Sequence, residues 1–423
     1  MKQYLKPADI LLPSFDVSDA EAWSKWAVIA CDQFTSEPEY WEEAAEVVGD
    51  APTTLSAVLP EVYLAEREAR TPKIHAAMNT MLASQLFSER NGMIYLSRTQ
   101  SDGKVREGIV AMIDLADYEY EKGATTLIRA TEGTVLERIP PRVAVRRDAP
   151  LELPHVMLLI DDPARTVIEP LALLTKESDT AYDFDLMLGG GHVTGKWIPA
   201  SAYPQIASAL SALITKEAME KKYGNGELAP LLFAVGDGNH SLATAKAHYE
   251  EIKAAIGEEA ALDHPARYAL CEIVNLHSPA LQFEPIYRVI FGADREELLG
   301  AFRAYAKEPR TPNPNAQTFT YTTDGETGEI TVTDPAFQLP VGSLQYFLDR
   351  YLKDHPEAEV DYIHGEDSVR ALAKNGAVGF LFAGMEKEDL FRTVLYDGSL
   401  PRKTFSMGHA RDKRYYLEAR AIR

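Results

Sequence analysis

The sequence predicts an α+β protein: a mixed sheet with packed helices, followed by a smaller C-terminal α+β unit. Short β-rich runs bounded by Asp, Gly and Pro recur at Met93 to Leu96, Val105 to Ile113, Thr126 to Ala130 and Val156 to Ile160, the pattern of a sheet. Ile206, Leu210, Leu213 and Ile214 then fall at helical spacing and mark a helix over about Pro204 to Lys222. After Gly292 a helix, a hairpin, another helix and a buried strand follow as a group of their own.

A chain of 423 residues exceeds one hydrophobic core. The expected division is a mixed α/β segment over 1–100 packed on the core, the core with a ligand site over 101–292, and a C-terminal domain over 293–423. In the first segment Trp26 to Ala30 reads as a strand, and Tyr40 to Val47 and Leu64 to Leu82 as helices. In the last, Glu296 to Tyr305 is helical, and Pro309, Pro312 and Pro314 crowd a linker or exposed loop. Thr318 to Tyr321 and Glu329 to Val332 flank Asp324-Gly325 and Gly328 as a hairpin, with a helix at Leu344 to Leu352 and a strand at Val378 to Phe382.

Composition narrows the partners. The chain carries 43 Lys and Arg against 64 Asp and Glu, a formal net charge of -21, so its average field repels polyanions. No nucleic acid and no anionic membrane surface is expected as a partner; a small-molecule ligand is. The two cysteines, Cys31 and Cys271, are far apart, which excludes a disulfide framework or a thiolate zinc site. With no long apolar leader and no spanning apolar run, a cytoplasmic location is the expectation.

The richest chemistry lies at Leu231-Leu232-Phe233-Ala234-Val235-Gly236-Asp237-Gly238-Asn239-His240-Ser241, ahead of an Ala-rich stretch from Leu242 to Ala255. The order reads strand, tight turn, helix. Gly236 and Gly238 let a ligand approach the main chain, and amides at a helix start favour an anion. Asp237 can hold a cation or take a proton, and His240 titrates near neutrality. The same residues also make good turn chemistry, in which Ser241 or Asn239 simply caps the helix.

Two further stretches carry charge where sites are often built. Ile128-Arg129-Ala130-Thr131-Glu132-Gly133-Thr134, with Arg138 and Arg142 downstream, puts a carboxylate and several cations at a strand end, or is a solvated charge run on a loop. Gly190-Gly191-His192-Val193-Thr194-Gly195-Lys196 has half of a P-loop pattern, but Trp197 stands where Ser or Thr should bind magnesium. It reads as a flexible glycine-rich loop, a lid from which His192 and Lys196 can reach a ligand. His240 and His248 lie about 12 Å apart along one helix and cannot chelate one ion. His277, His364 and His409 are isolated and read as structural or surface histidines.

Together, Phe233 to Lys246, Ala30-Cys31-Asp32-Gln33-Phe34-Thr35-Ser36-Glu37-Pro38, Ile128-Arg129 with Glu132 and Thr134, Tyr287-Arg288-Val289-Ile290 and Pro401-Arg402-Lys403-Thr404 resemble the bacterial and archaeal DUF1015 family of uncharacterised proteins. The resemblance covers most of the chain. It implies a ParB/sulfiredoxin-like core, a fold group in which a strand-turn-helix binds nucleotide phosphates and whose members include a kinase acting on free serine. On that basis Gly236, Gly238, Asn239 and Ser241 cradle phosphate, His240 contacts it, and Asp237 positions Mg2+ or substrate. Glu132 is implied as the base that takes a proton from a hydroxyl acceptor. Ser241 stands where arginine is common, so a fixed positive charge is missing. Arg129, Arg138 and Lys196, with Thr134 beside them, are the candidates to complete the phosphate site.

The expected function is binding of a nucleotide (ATP, ADP or CTP, with Mg2+) or a phosphorylated metabolite, with phosphoryl transfer to a small hydroxyl-bearing molecule. The alternatives are a non-catalytic nucleotide sensor and a metal-assisted hydrolase using Asp237, His240 and a distant carboxylate.

Overall fold

Period-two alternation is satisfied on both faces of one large sheet. In the computed structural model, which describes residues 3–133, 139–308 and 315–423, Ile94 and Leu96 point into one core while Met93 and Tyr95 point into another. Val110 and Ile109 divide in the same way. A strand buried on both sides needs apolar residues at every position, which is why these runs are nearly continuous in hydrophobicity. The fold is mixed α+β.

In chain order the strands of the first part are β1 (Ala8–Pro13), β2 (Phe87–Gly92), β3 (Ile94–Thr99), β4 (Val105–Asp114), β5 (Tyr118–Glu119), β6 (Ile128–Arg129), β7 (Leu151–Glu152), β8 (Met157–Ile160), β9 (Thr180–Asp185), β10 (His192–Trp197), β11 (Phe233–Asp237) and β12 (Tyr268–Asn275). Nine of them form a sheet in the order β5-β6-β11-β8-β12-β4-β3-β10-β9. β6 runs parallel to β11, and β8 parallel to β12, but β11 is antiparallel to β8. The end of β11 therefore lies beside the start of β8, with Asp237 opposite Met157.

One face is covered by the Ala20–Trp26 and Pro38–Val48 helices through Trp23, Trp26 and Trp41. The other is covered by the Asn239–Ile256 helix through Leu242, Ala245 and Tyr249, and by the Tyr203–Leu213 helix through Ile206 and Leu210. Among the described residues no helix is long and apolar enough to cross a membrane.

A second unit contains β13 (Phe283–Phe291), β14 (Gln317–Thr322), β15 (Thr327–Val332), β16 (Glu359–His364), β17 (Val378–Phe382) and β18 (Phe405–Met407). Its sheet is antiparallel, in the order β15-β14-β17-β13-β16 with β18 also on β13. The predicted hairpin is β14–β15, and the Arg295–Ala306 and Pro340–Asp354 helices match the expected periodicity.

Several boundaries differ from the sequence reading. Two compact units are present: Met1–Ala130, Thr134–Leu281 and His409–Arg423 form one, and Thr131–Gly133 with Gln282–Gly408 the other. Residues 1–100 supply an interior strand of the large sheet, β3, which pairs with both β4 and β10. The C-terminal segment returns to the first unit, where β19 (Arg420–Ala421) pairs with β7.

Trp26 ends a helix capped by the Asp19 carboxylate, and the residues after it meet the C-terminal segment by a bridge between Ile29 and Tyr415. The helix expected over Pro204 to Lys222 is two, because the Thr215 hydroxyl accepts from the Ala218 amide and starts a new one. Nor is the glycine-rich segment before Trp197 a lid. It is β10, an interior strand whose Val193, Gly195 and Trp197 face inward.

Candidate functional site

The strand-turn-helix forms as its sequence predicts, and each glycine has a physical reason. β11 bulges at Gly236 where it pairs with β8, and a Cβ there would sit 2.7 Å from Leu159 Cγ. Gly238 has φ +81°, a left-handed conformation that side chains resist, and it is the N-cap of the Asn239–Ile256 helix. Gly236→Ala is expected to overpack the buried Leu159 and cost about 1–3 kcal/mol, read as a lowered thermal midpoint. The N-cap residue is Gly238, so neither Asn239 nor Ser241, both inside the first turn, takes that position.

Side chains from four distant parts of the first unit meet at this turn. The Asp237 Oδ1 accepts from the Gly238 amide at 3.0 Å, and Oδ2 lies 3.2 Å from Lys413 Nζ. Ser241 Oγ is 3.1 Å from His155 Nε2, whose other neighbour is Asp32 Oδ2 at 3.6 Å. The Tyr416 hydroxyl lies 2.9 Å from His155 Nδ1 and accepts from the Cys31 amide at 3.1 Å. Gln33 Nε2 donates to Asp32 Oδ1 at 2.9 Å. His155 and Tyr416 are buried; Asp32, Asp237, Ser241 and Lys413 keep partial exposure.

The electrostatics favour charge. Burial opposes ionisation of Asp32, but His155, the hydrogen bonds from His155 and Gln33, and Lys413 outweigh it and hold the carboxyl well below the usual range. Burial also opposes charge on His155, yet Asp32, with help from Asp237, raises the imidazole above its ordinary value. Two carboxylates and two potential cations thus share one partly covered corner. Cys31 does not join this chemistry, since burial and the Asp32 charge push its thiol up to about 12.

The other sequence candidates lie elsewhere. Arg129 is buried at the end of β6, where it donates to the carbonyls of Thr126, Ala229 and Pro230, and burial pushes its guanidinium down to about 10. Lys196 projects from β10, five places from β11 in the sheet, and donates to the Lys176 carbonyl at 2.8 Å. Neither supplies the cation at Asp237. Glu132 forms a bridge with Leu400 and groups with the second unit. Thr134 and Arg138 lie outside the described residues. Asn239 and His240 are half-buried in the first turn of the helix, and the His240 carbonyl accepts from the Thr244 hydroxyl.

Of the isolated histidines, His277 bonds Asp161 at 2.7 Å, and His192 bonds Asp183 and Asp185 across β9 and β10. His248 is driven down to about 4, chiefly by burial. His155 and Lys413 were not legible as site residues. One is a single histidine before a predicted strand, and the other lies in a tail with no motif.

The family model described as "Protein of unknown function (DUF1015)" matches residues 12–351, most of the chain. The chain belongs to the DUF1015 family. Among solved structures this DUF1015 chain is similar to a conserved hypothetical protein from Pyrococcus furiosus, with 10% identity and a TM-score of 0.35 over 74% of this chain and 95% of that one. It is also similar to a variant of a free serine kinase in complex with AMP, with 12% identity and a TM-score of 0.38 over 74% of this chain and 92% of that one. The ADP complex of that variant gives 12% identity and a TM-score of 0.37 over the same shares. No curated protein matches. Two pairs of the stretches singled out in the sequence meet: the Asp32 stretch joins the Gly236 turn through His155, and Arg288 donates to the carbonyls of Arg402 and Lys403.

Proposed function

We propose that the turn from Gly236 to Ser241 binds the phosphate groups of a nucleotide or phosphorylated metabolite and serves phosphoryl transfer to a small hydroxyl-bearing molecule. The observation that carries this reading is the arrival of Lys413 and His155 at a turn whose sequence lacks the usual arginine. Phosphoryl transfer asks mainly for positioning and charge neutralisation, which the Lys413 ammonium and helix-start amides can provide. A net charge of -21 does not prevent it, because local cations decide the field at this corner.

Asp237 is the carboxylate suited to hold Mg2+. Among the described residues no group of three or more His, Cys, Asp and Glu side chains could hold a metal ion, so a Mg2+ here would arrive with the phosphates that complete its shell. When bound it would neutralise phosphate charge.

A thermal-shift screen with ATP, ADP and CTP, each with Mg2+, tests the reading. One nucleotide at about one hundred times its Kd should add about 2.7 kcal/mol of stability, and Asp237→Asn should abolish that gain. A flat response to every nucleotide and to phosphorylated metabolites contradicts it. Binding without product under single-turnover conditions with hydroxyl acceptors leaves a sensor, not a transferase.

A further inference from the structure

We propose that Ser241 is a nucleophile of this site, activated by His155, and that it carries the phosphoryl group as a phosphoserine between donor and acceptor. This rests on the reading that the turn holds a phosphoryl donor. Resemblance gives residue 241 only a passive place on the phosphate, in a position where arginine is common. The structure gives it a base.

Ser241 Oγ lies 3.1 Å from His155 Nε2, and the opposite ring nitrogen is fixed by Tyr416 at 2.9 Å. A nucleophile within hydrogen-bond reach of an imidazole that a third group orients is the general arrangement for covalent catalysis. Tyr416 faces Nδ1 of His155, and a neutral ring protonated there donates to the Tyr416 oxygen. That tautomer leaves Nε2 as an acceptor facing the Ser241 hydroxyl. Asp32, 3.6 Å from the same Nε2, then stabilises the imidazolium that forms when the serine proton arrives.

Access fits the role. His155 is 5% exposed, shielded from competing water, while Ser241 is only half-buried and sits on the first turn of the helix after the phosphate-binding glycines. Gly238 takes the N-cap position of this helix, and the Ser241 hydroxyl turns to His155.

The chemistry balances in two displacements. In the first, Ser241 Oγ attacks the donor phosphorus and forms an O–P bond. The bond from phosphorus to the leaving oxygen breaks, its electron pair stays on that oxygen, and the serine proton moves to His155 Nε2. In the second, the acceptor hydroxyl attacks the phosphoserine phosphorus and the Oγ–P bond breaks. His155 returns its proton to Oγ, and the acceptor proton leaves to solvent. Tyr416 and Asp32 are positioning residues in both steps.

A fluorophosphonate probe tests the nucleophile on the full chain without requiring any nucleotide, because a base-activated serine displaces fluoride and forms a stable O–P bond. Intact-mass spectrometry and peptide mapping should find one label on Ser241. Labelling should be lost in Ser241→Ala and fall at least about tenfold in His155→Gln, while Tyr416→Phe, which keeps the ring, should slow it in a folded protein. Thermal unfolding of each variant separates lost reactivity from lost fold. Nucleotide binding with no label on Ser241 overturns the nucleophile and leaves the binding reading standing. Label on Ser241 with no nucleotide binding supports the nucleophile and overturns the phosphoryl donor.

Discussion

Replacing Glu272 by alanine is expected to cost about 3–5 kcal/mol of folding stability, seen as a lower denaturant midpoint at unchanged slope. Glu272 sits on β12 with no exposed surface, 3.0 Å from Arg106 Nε and 2.6 Å from Arg414 Nη1. Arg414 keeps its pair with Glu418, so the alanine variant leaves the buried Arg106 guanidinium without its carboxylate partner. The effect reaches the site, because this network seats the C-terminal segment. Arg106 donates to the Asp412 carbonyl, and Arg98 to the carbonyls of Arg411 and Lys413.

The same residue sets part of the acid limit. Burial opposes its charge, but Arg106 and Arg414 hold the carboxyl down to about 2. A carboxylate depressed in the folded state contributes stability that is fully present above its unfolded pKa of about 4.3. That contribution is lost as pH falls from there toward about 2. Acid titration should therefore show a stability slope in this window for the parent chain that is shallower in Glu272→Ala.

Lys413→Ala should weaken binding of the phosphorylated ligand by at least about tenfold, and by as much as about a hundredfold, the effect of losing a hydrogen bond to a charged group. Its ammonium is the fixed cation 3.2 Å from Asp237, a partner that is itself only partly exposed. Calorimetric titration measures the change. Lys413→Arg keeps the charge and should recover part of the affinity; equal affinity in the alanine variant and the parent would remove Lys413 from the site. The family model stops at residue 351, so this cation comes from a segment outside the matched region.

Much of the fold was legible because it rests on local rules. β4, β17 and the hairpin of β14 and β15 appear within two residues of their predicted ends, since alternation and turn glycines specify them without reference to the rest of the chain. The glycine-rich segment before Trp197 misled because glycine is read as flexibility, whereas at Gly195 it makes room for the Tyr182 ring on the neighbouring strand, which a Cβ would approach to 2.4 Å. The site divides along the same line. Asp237, Gly238 and Ser241 fall within five consecutive residues and carry their own signal. His155, Asp32 and Lys413 reach them only because β11 lies antiparallel to β8 and because the tail folds back beside Ile29. Strand order is a property of the whole chain, and no local pattern encodes it.

A crystal structure of the full chain with the nucleotide that gives the largest thermal shift is the most direct measurement. The expected result is phosphate oxygens within hydrogen-bond distance of the Gly238 to Ser241 amides and of Lys413 Nζ, with the terminal phosphorus facing Ser241 Oγ. Nucleotide bound elsewhere, with Lys413 still on Asp237 and no phosphate at the turn, would contradict it.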